Sequence, residues 1–418
     1  MQFMRRLLVR MIPRFSIRQL ILLVAVCGVI CATAGVWFQR VEKQKSIVKQ
    51  LTDLGAGVTY EQRYLDRHSP NVVVTASTWR ERLDDWLVAK FGTDAVYDVQ
   101  GVYVPRKNAV EIAKLLPGLR SLEQLEVFLT EEQFDEAWKS LILCRQLKRL
   151  VLKPARTKRL RGISQLKRLE NLQIDFGELD RDDFKEIAEL DQLRTLKLDI
   201  VWTSDDALEA LGNLAGLKEF HLTHAGLSEE VSSQGTAFLK SMPGLRRLTL
   251  ARMPLIDDEV FALIGNLKQL EYLNLDQAGL DGSMLDQLVT LEKLTELNLI
   301  GTNVGDQAMQ HIGKLKNLES LDLGSTQVSD AGMERLVELP NLKGLHLSGL
   351  KLTDKAMLHV SALKQLDELF MVRVPVTDAG IEQLLQMGSL RMIGLEQTRV
   401  TQKGLARIKQ MLPKCRVW

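Results

Sequence analysis

LTELNLIGTNVGDQAMQHIGKLKN (residues 294–317) is followed directly by LESLDLGSTQVSDAGMERLVELPN (residues 318–341), and the two segments align without a gap. Leucine stands at positions 1, 4 and 6 of each, and apolar residues return at positions 11, 16, 19 and 22. Worked outward, the Leu-x-x-Leu-x-Leu opening occurs at Leu147, Leu169, Leu193, Leu217, Leu245, Leu270, Leu294, Leu318, Leu342, Leu366 and Leu390. The steps are 22, 24, 24, 28 and 25 residues, then five of 24. Weaker copies open at Leu122 and Val99, so about thirteen units fill residues 99–418.

The spacing has a physical reading. Leu-x-Leu places two side chains on one face of a short strand, and neighbouring units stack such strands side by side. Met309, Ile312 and Leu315 (positions 16, 19 and 22) form one apolar stripe of a short helix behind that sheet. No unit can bury its stripe alone, so stacking is obligatory.

These columns resemble the leucine-rich-repeat family. The resemblance implies an α/β solenoid: a horseshoe with a concave parallel β-sheet and convex short helices. One feature departs from that pattern. Position 9, often Asn or Cys in the family, is Thr302, Thr326 and Thr398 here and Ala278, Leu350 and Val374 in other repeats, which argues against an asparagine ladder.

Position 13 is Asp306, Asp330, Asp354 and Asp378 in successive repeats. One carboxylate per turn cannot supply the roughly six to eight oxygens that calcium takes. Capping of the outer helix is the expected role. The Leu217 repeat is the long one, with its extra residues around Ser228–Gln234.

Before the repeats, Leu20–Phe38 (LILLVAVCGVICATAGVWF) carries no charge. As a helix it would span roughly 28 Å, close to a hydrocarbon core. The run continues past the small residues Ala32-Thr33-Ala34, which favours a retained anchor over a cleaved leader. The expected layout is a basic tail at 1–18, a single-pass transmembrane helix at 19–39, a spacer and N-terminal cap at 40–98, and the solenoid at 99–418. This layout is similar to bacterial membrane-anchored repeat proteins of the planctomycete type. Arg5, Arg6, Arg10, Arg14 and Arg18 precede the run, so the positive-inside rule leans towards repeats on the non-cytoplasmic, periplasmic side.

The chain's net charge of +2 hides a division. Residues 137–168 hold eleven Lys or Arg and no acid, whereas 169–418 hold 26 basic against 37 acidic residues, net −11. With no aromatic side chain after Trp138 for stacking, the basic band reads as a solvated face or a dock for an acidic segment, not a nucleic-acid site. Cys144 and Cys415 lie too many strands apart to pair. Cofactor fingerprints, metal-ligand spacings and nucleophile elbows are all missing from the sequence, so no cofactor and no small-molecule substrate are expected.

Positions 3, 5 and 7 of each unit should face the open side of the sheet. The run Arg247, Tyr272, Asn274, Asp276, Asn298, Asp322, His346 and Phe370 is the candidate contact patch for a protein partner, anchored on Arg and Tyr. One alternative is a hydrolase built on Asp322, His346 and Ser348, although an open sheet offers neither oxyanion hole nor dry pocket. Another is a structural envelope protein without a discrete ligand. The leading expectation is a membrane-anchored, non-enzymatic, protein-binding scaffold.

Overall fold

The computed structural model describes residues 17–60, 88, 93, 98–154, 159–224, 232, 234–253 and 256–418; for 17–31, 34, 154 and 224 it describes the backbone alone. Within these residues fifteen strands form one sheet whose spatial order is the chain order. The first pair, β1 (Gly57–Tyr60) and β2 (Val99–Val104), is antiparallel. Every later pair is parallel, and the register steps by one whole repeat. Leu297 pairs with Leu321, Leu321 with Leu345, Leu345 with Leu369, and Leu369 with Ile393.

The core is one continuous seam between sheet and helices. Leu318, Leu321 and Leu323 are fully buried, and Met309, Met333 and Met357 meet them from the helices. A buried leucine of this kind contributes on the order of 2 kcal/mol. The helical side is built of short pieces, such as the two-turn helices Asp306–Ile312 and Asp354–Val360.

At the strand exit, position 8 is left-handed in repeat after repeat. Phe176, Ile200, Arg252, Gln277, Ser325, Arg373 and Gln397 have φ between 52° and 62°, and Gly301 and Gly349 occupy the same place at 66° and 77°. That residue reverses the chain from the sheet towards the helical side. An L side chain there is strained, and Gly is not.

The N-terminal edge is covered by α1 (Ile17–Asp53), with Val41, Ile47 and Leu51 buried. The Ile47 side chain comes so close to Gly118 that a Cβ there would lie 2.6 Å from it. Arg40 holds Asp98 at 2.6 Å, and Asn108 donates to the Leu54 carbonyl at 3.1 Å. At the other end, the helix Gln402–Met411 stops before Pro413 and Arg416–Val417 adds the last strand.

The expected transmembrane helix at 19–39 is corrected by the structure. Among the described residues, no helix is long and apolar enough to cross a membrane. The apolar stretch belongs to α1, which runs on unbroken through Arg40, Glu42, Lys43, Lys45 and Lys49. Those charges mark an end of apolarity but are good helix formers, so the helix does not stop with the apolar run. Its far end is seated on the first repeat. The single-pass anchor expected as a partner surface falls with the span. Residues 1–16 of the basic tail, most of residues 61–97 of the expected spacer and cap, and most of the Ser228–Gln234 insertion lie outside the described residues.

Candidate functional site

The aspartate column sits on the helical side, and its role differs from the expected one. The helix N-caps are Ser329, Thr353, Thr377 and Thr401, whose side chains accept from the amide two residues on. Each Asp is the first helical residue, and its carboxylate reaches the cap of the next repeat. Asp330 accepts the Thr353 amide at 2.8 Å and hydroxyl at 2.5 Å; Asp354 holds Thr377 at 2.8 and 2.6 Å, and Asp378 holds Thr401 likewise. Asp306 binds Ser329 in the same way, and Asp205 binds Ser232 beside the insertion. These carboxylates tie repeat to repeat. Among the described residues, no group of three or more His, Cys, Asp or Glu is placed to hold a metal ion.

On the sheet's open face, position 5 forms a single file. Asn274, Asn298, Asp322, His346, Phe370 and Gly394 are successive register partners. Asn274 and Asn298 each accept the amide two residues on, at 2.8 and 2.9 Å, and Asp322 does so from Gly324 at 2.9 Å. The side chains that look outward are therefore held by their own backbone, and the face is preorganised. Position 9 serves the turn instead: Thr302, Thr326 and Thr398 donate to the carbonyl three residues back at 2.7–2.8 Å.

The expected contact residues are placed on this face as two groups. The Arg247 guanidinium lies 3.9 Å from the Tyr272 ring centroid and reaches Glu296 at 3.4 Å, two repeats away. Further along, His346 Nδ1 faces the Asp322 carboxylate at 3.2 Å and its ring lies 4.7 Å from that of Phe370. Asp276 sits at the rim, bonded by Gln277 at 3.2 Å. Between the groups is a dent of only about 120 Å³ lined by Tyr272, Asn298, Asp322 and His346.

The catalytic alternative is brought together in part. Asp322 and His346 meet, but among the described contacts the Ser348 hydroxyl makes no hydrogen bond to His346. The His346 ring packs on Phe370 instead. His221, the other histidine of the column, is half-buried beside Thr223, whose hydroxyl lies 2.8 Å from Nε2; desolvation pushes its pKa down, partly offset by Asp199.

Part of the basic band is neutralised by neighbouring repeats. Lys148 pairs with Glu123 and Lys153 with Glu126, both at 2.8 Å; Lys167 meets Glu189 at 3.5 Å and Arg159 meets Asp180 at 3.7 Å. Its Arg156 and Lys158 lie outside the described residues. Four members of what looks in the sequence like a block of one sign are thus rungs of an inter-repeat charge ladder.

Stacked parallel strands, one per repeat of about 24 residues, with short helices behind them, are the leucine-rich-repeat fold. An internalin (inlF) from Listeria monocytogenes has this fold, with TM-score 0.52 and 18% identity over 80% of this chain and 93% of its own. A leucine-rich-repeat protein of Leptospira interrogans gives TM-score 0.46 and 21% identity, over 73% of this chain and 91% of that one. Likeness at this identity carries the fold alone. No protein-family model matches the chain, and no curated protein matches its sequence.

Proposed function

We propose that this chain is a protein-binding scaffold that takes its partner on the open face of the sheet. The observation that carries the reading is the Arg247–Tyr272 stack, an Arg and a Tyr fixed on a rigid and mostly polar face. Rigid aromatic and arginine anchors are what a protein interface needs, because little entropy is lost when they are covered. The face is open and shallow, which suits a polypeptide surface better than a small molecule. Proximity labelling from the protein, compared with an Arg247→Ala/Tyr272→Ala variant, tests the patch. The reading expects specific labels to be lost in the variant, and equal labelling would remove the patch.

A hydrolase is the second reading, favoured by the 3.2 Å contact of His346 with Asp322. It requires a turnover by purified protein that His346→Ala abolishes with folding intact. That result would displace the scaffold.

A further inference from the structure

The open face is divided by charge. In its first half, positions 3, 5 and 7 hold both signs, and these cancel. Lys153 pairs with Glu126 and Lys197 with Glu219, both at 2.8 Å, while Arg247 reaches Glu296. From Tyr272 to Glu396 the same positions contain Asp276, Glu296, Asp322, Glu368 and Glu396, and no Lys or Arg. Glu296 is matched by Arg247 and Asp322 by His346. Among the described residues Asp276, Glu368 and Glu396 have no cationic partner.

Glu368 and Glu396 flank an aromatic ring. Glu368 stands two residues before Phe370 on one strand, on the same face. Glu396 stands two residues beyond Gly394, the register partner of Phe370. Gly394 leaves room for the ring to lie across the neighbouring strand, since a Cβ there would come within 2.6 Å of it. Arg416, the register partner of Met392, stands on the same face on the last strand, yet among the described residues it forms no ion pair with Glu368 or Glu396, and Arg373 leaves the strand in the left-handed turn.

The same sheet shows what such a set of groups holds. At Tyr272, an aromatic ring and the Glu296 carboxylate together bind a guanidinium, that of Arg247. At Phe370, a ring and two carboxylates stand without one. We infer that the C-terminal half of the open face is the dock for a basic, arginine-bearing polypeptide segment, one guanidinium stacking on Phe370 and pairing with Glu368 and Glu396. The inference rests on the scaffold reading and names the chemistry of its partner. Arginine suits the site better than lysine, because a planar guanidinium stacks and pairs at once.

The test is fluorescence anisotropy with the full chain and four labelled twelve-residue peptides, in which serine alternates with Arg, Lys, Glu or Leu. The Arg peptide should bind best, and Glu368→Gln/Glu396→Gln should weaken it about tenfold. Phe370→Ala should weaken the Arg peptide more than the Lys peptide. Glu334→Gln, on the exposed helical side, should change nothing. Equal binding by the Glu368/Glu396 and Glu334 variants overturns the inference, and so does a preference for the Glu or Leu peptide or no binding at all. If labelling still depends on Arg247 and Tyr272 in that case, the scaffold reading survives and only the partner's chemistry is wrong.

Discussion

The Asp354 carboxylate accepts both the amide and the hydroxyl of Thr377, at 2.8 and 2.6 Å, across 23 residues of chain. The same hydroxyl accepts from the Ala379 amide at 3.2 Å. One side chain thus caps its own helix and fastens it to the repeat before. Thr377→Val keeps the shape and removes both bonds. It should cost about 1–2 kcal/mol, a lost cap together with a carboxylate left short of a donor. A lowered urea midpoint with unchanged secondary structure is the expected result; an unchanged midpoint would show that the staple contributes nothing.

The staple at Asp378 should be sensitive to pH. The hydroxyl and amide of Thr401 hold this carboxyl below its ordinary range. A carboxyl lowered in the folded state contributes its stability above its unfolded pKa, about 3.9, and loses it as pH falls through the lower folded value. Wild type should therefore exceed Asp378→Asn in stability at pH 6, and the gap should narrow below about pH 4. A gap that widens on acidification would contradict the assignment.

Position 8 makes a prediction about the backbone. Gln397 has φ of 58° and Gly349 has 77°. Gln397→Gly should stabilise by roughly 0.5–1 kcal/mol by relieving the left-handed strain. Gly349→Val should destabilise by about 2 kcal/mol or more, because a β-branched side chain fits that conformation worst. Thermal unfolding of the two variants reads both signs.

Cys144 is buried in the seam, and burial pushes its thiol up to about 12. Little thiolate exists at neutral pH, so it should resist alkylation at pH 8 until the chain unfolds. Peptide mapping after a short iodoacetamide pulse checks this. Rapid native labelling of Cys144 would mean that the repeats around it open.

The repeats were legible because stacking forces every core residue to recur. The phase read from Leu-x-x-Leu-x-Leu predicted the partners of Asn298, Asp322, His346 and Phe370, which the sheet register bears out. What the sequence hid were relations between repeats that have no local spacing. Asp354 looks like a cap for its own helix because the donor it serves lies a full repeat away. The basic band looks unpaired because its acids are also one repeat distant. The left-handed column shows in the sequence only as Gly301 and Gly349 at the same position, since the other residues there carry side chains. The apolar run at Leu20–Phe38 misled because apolarity ends at Arg40, while the helix runs on to Asp53.

The central claim is that the open sheet face is the binding surface. A photo-crosslinking amino acid placed at Asn298 on that face, and separately at Leu358 on the exposed helical side, tests it most directly. The account predicts a discrete protein adduct from position 298 that Arg247→Ala removes, and none from position 358. Adducts from 358 alone, or adducts from 298 that ignore Arg247, would contradict it.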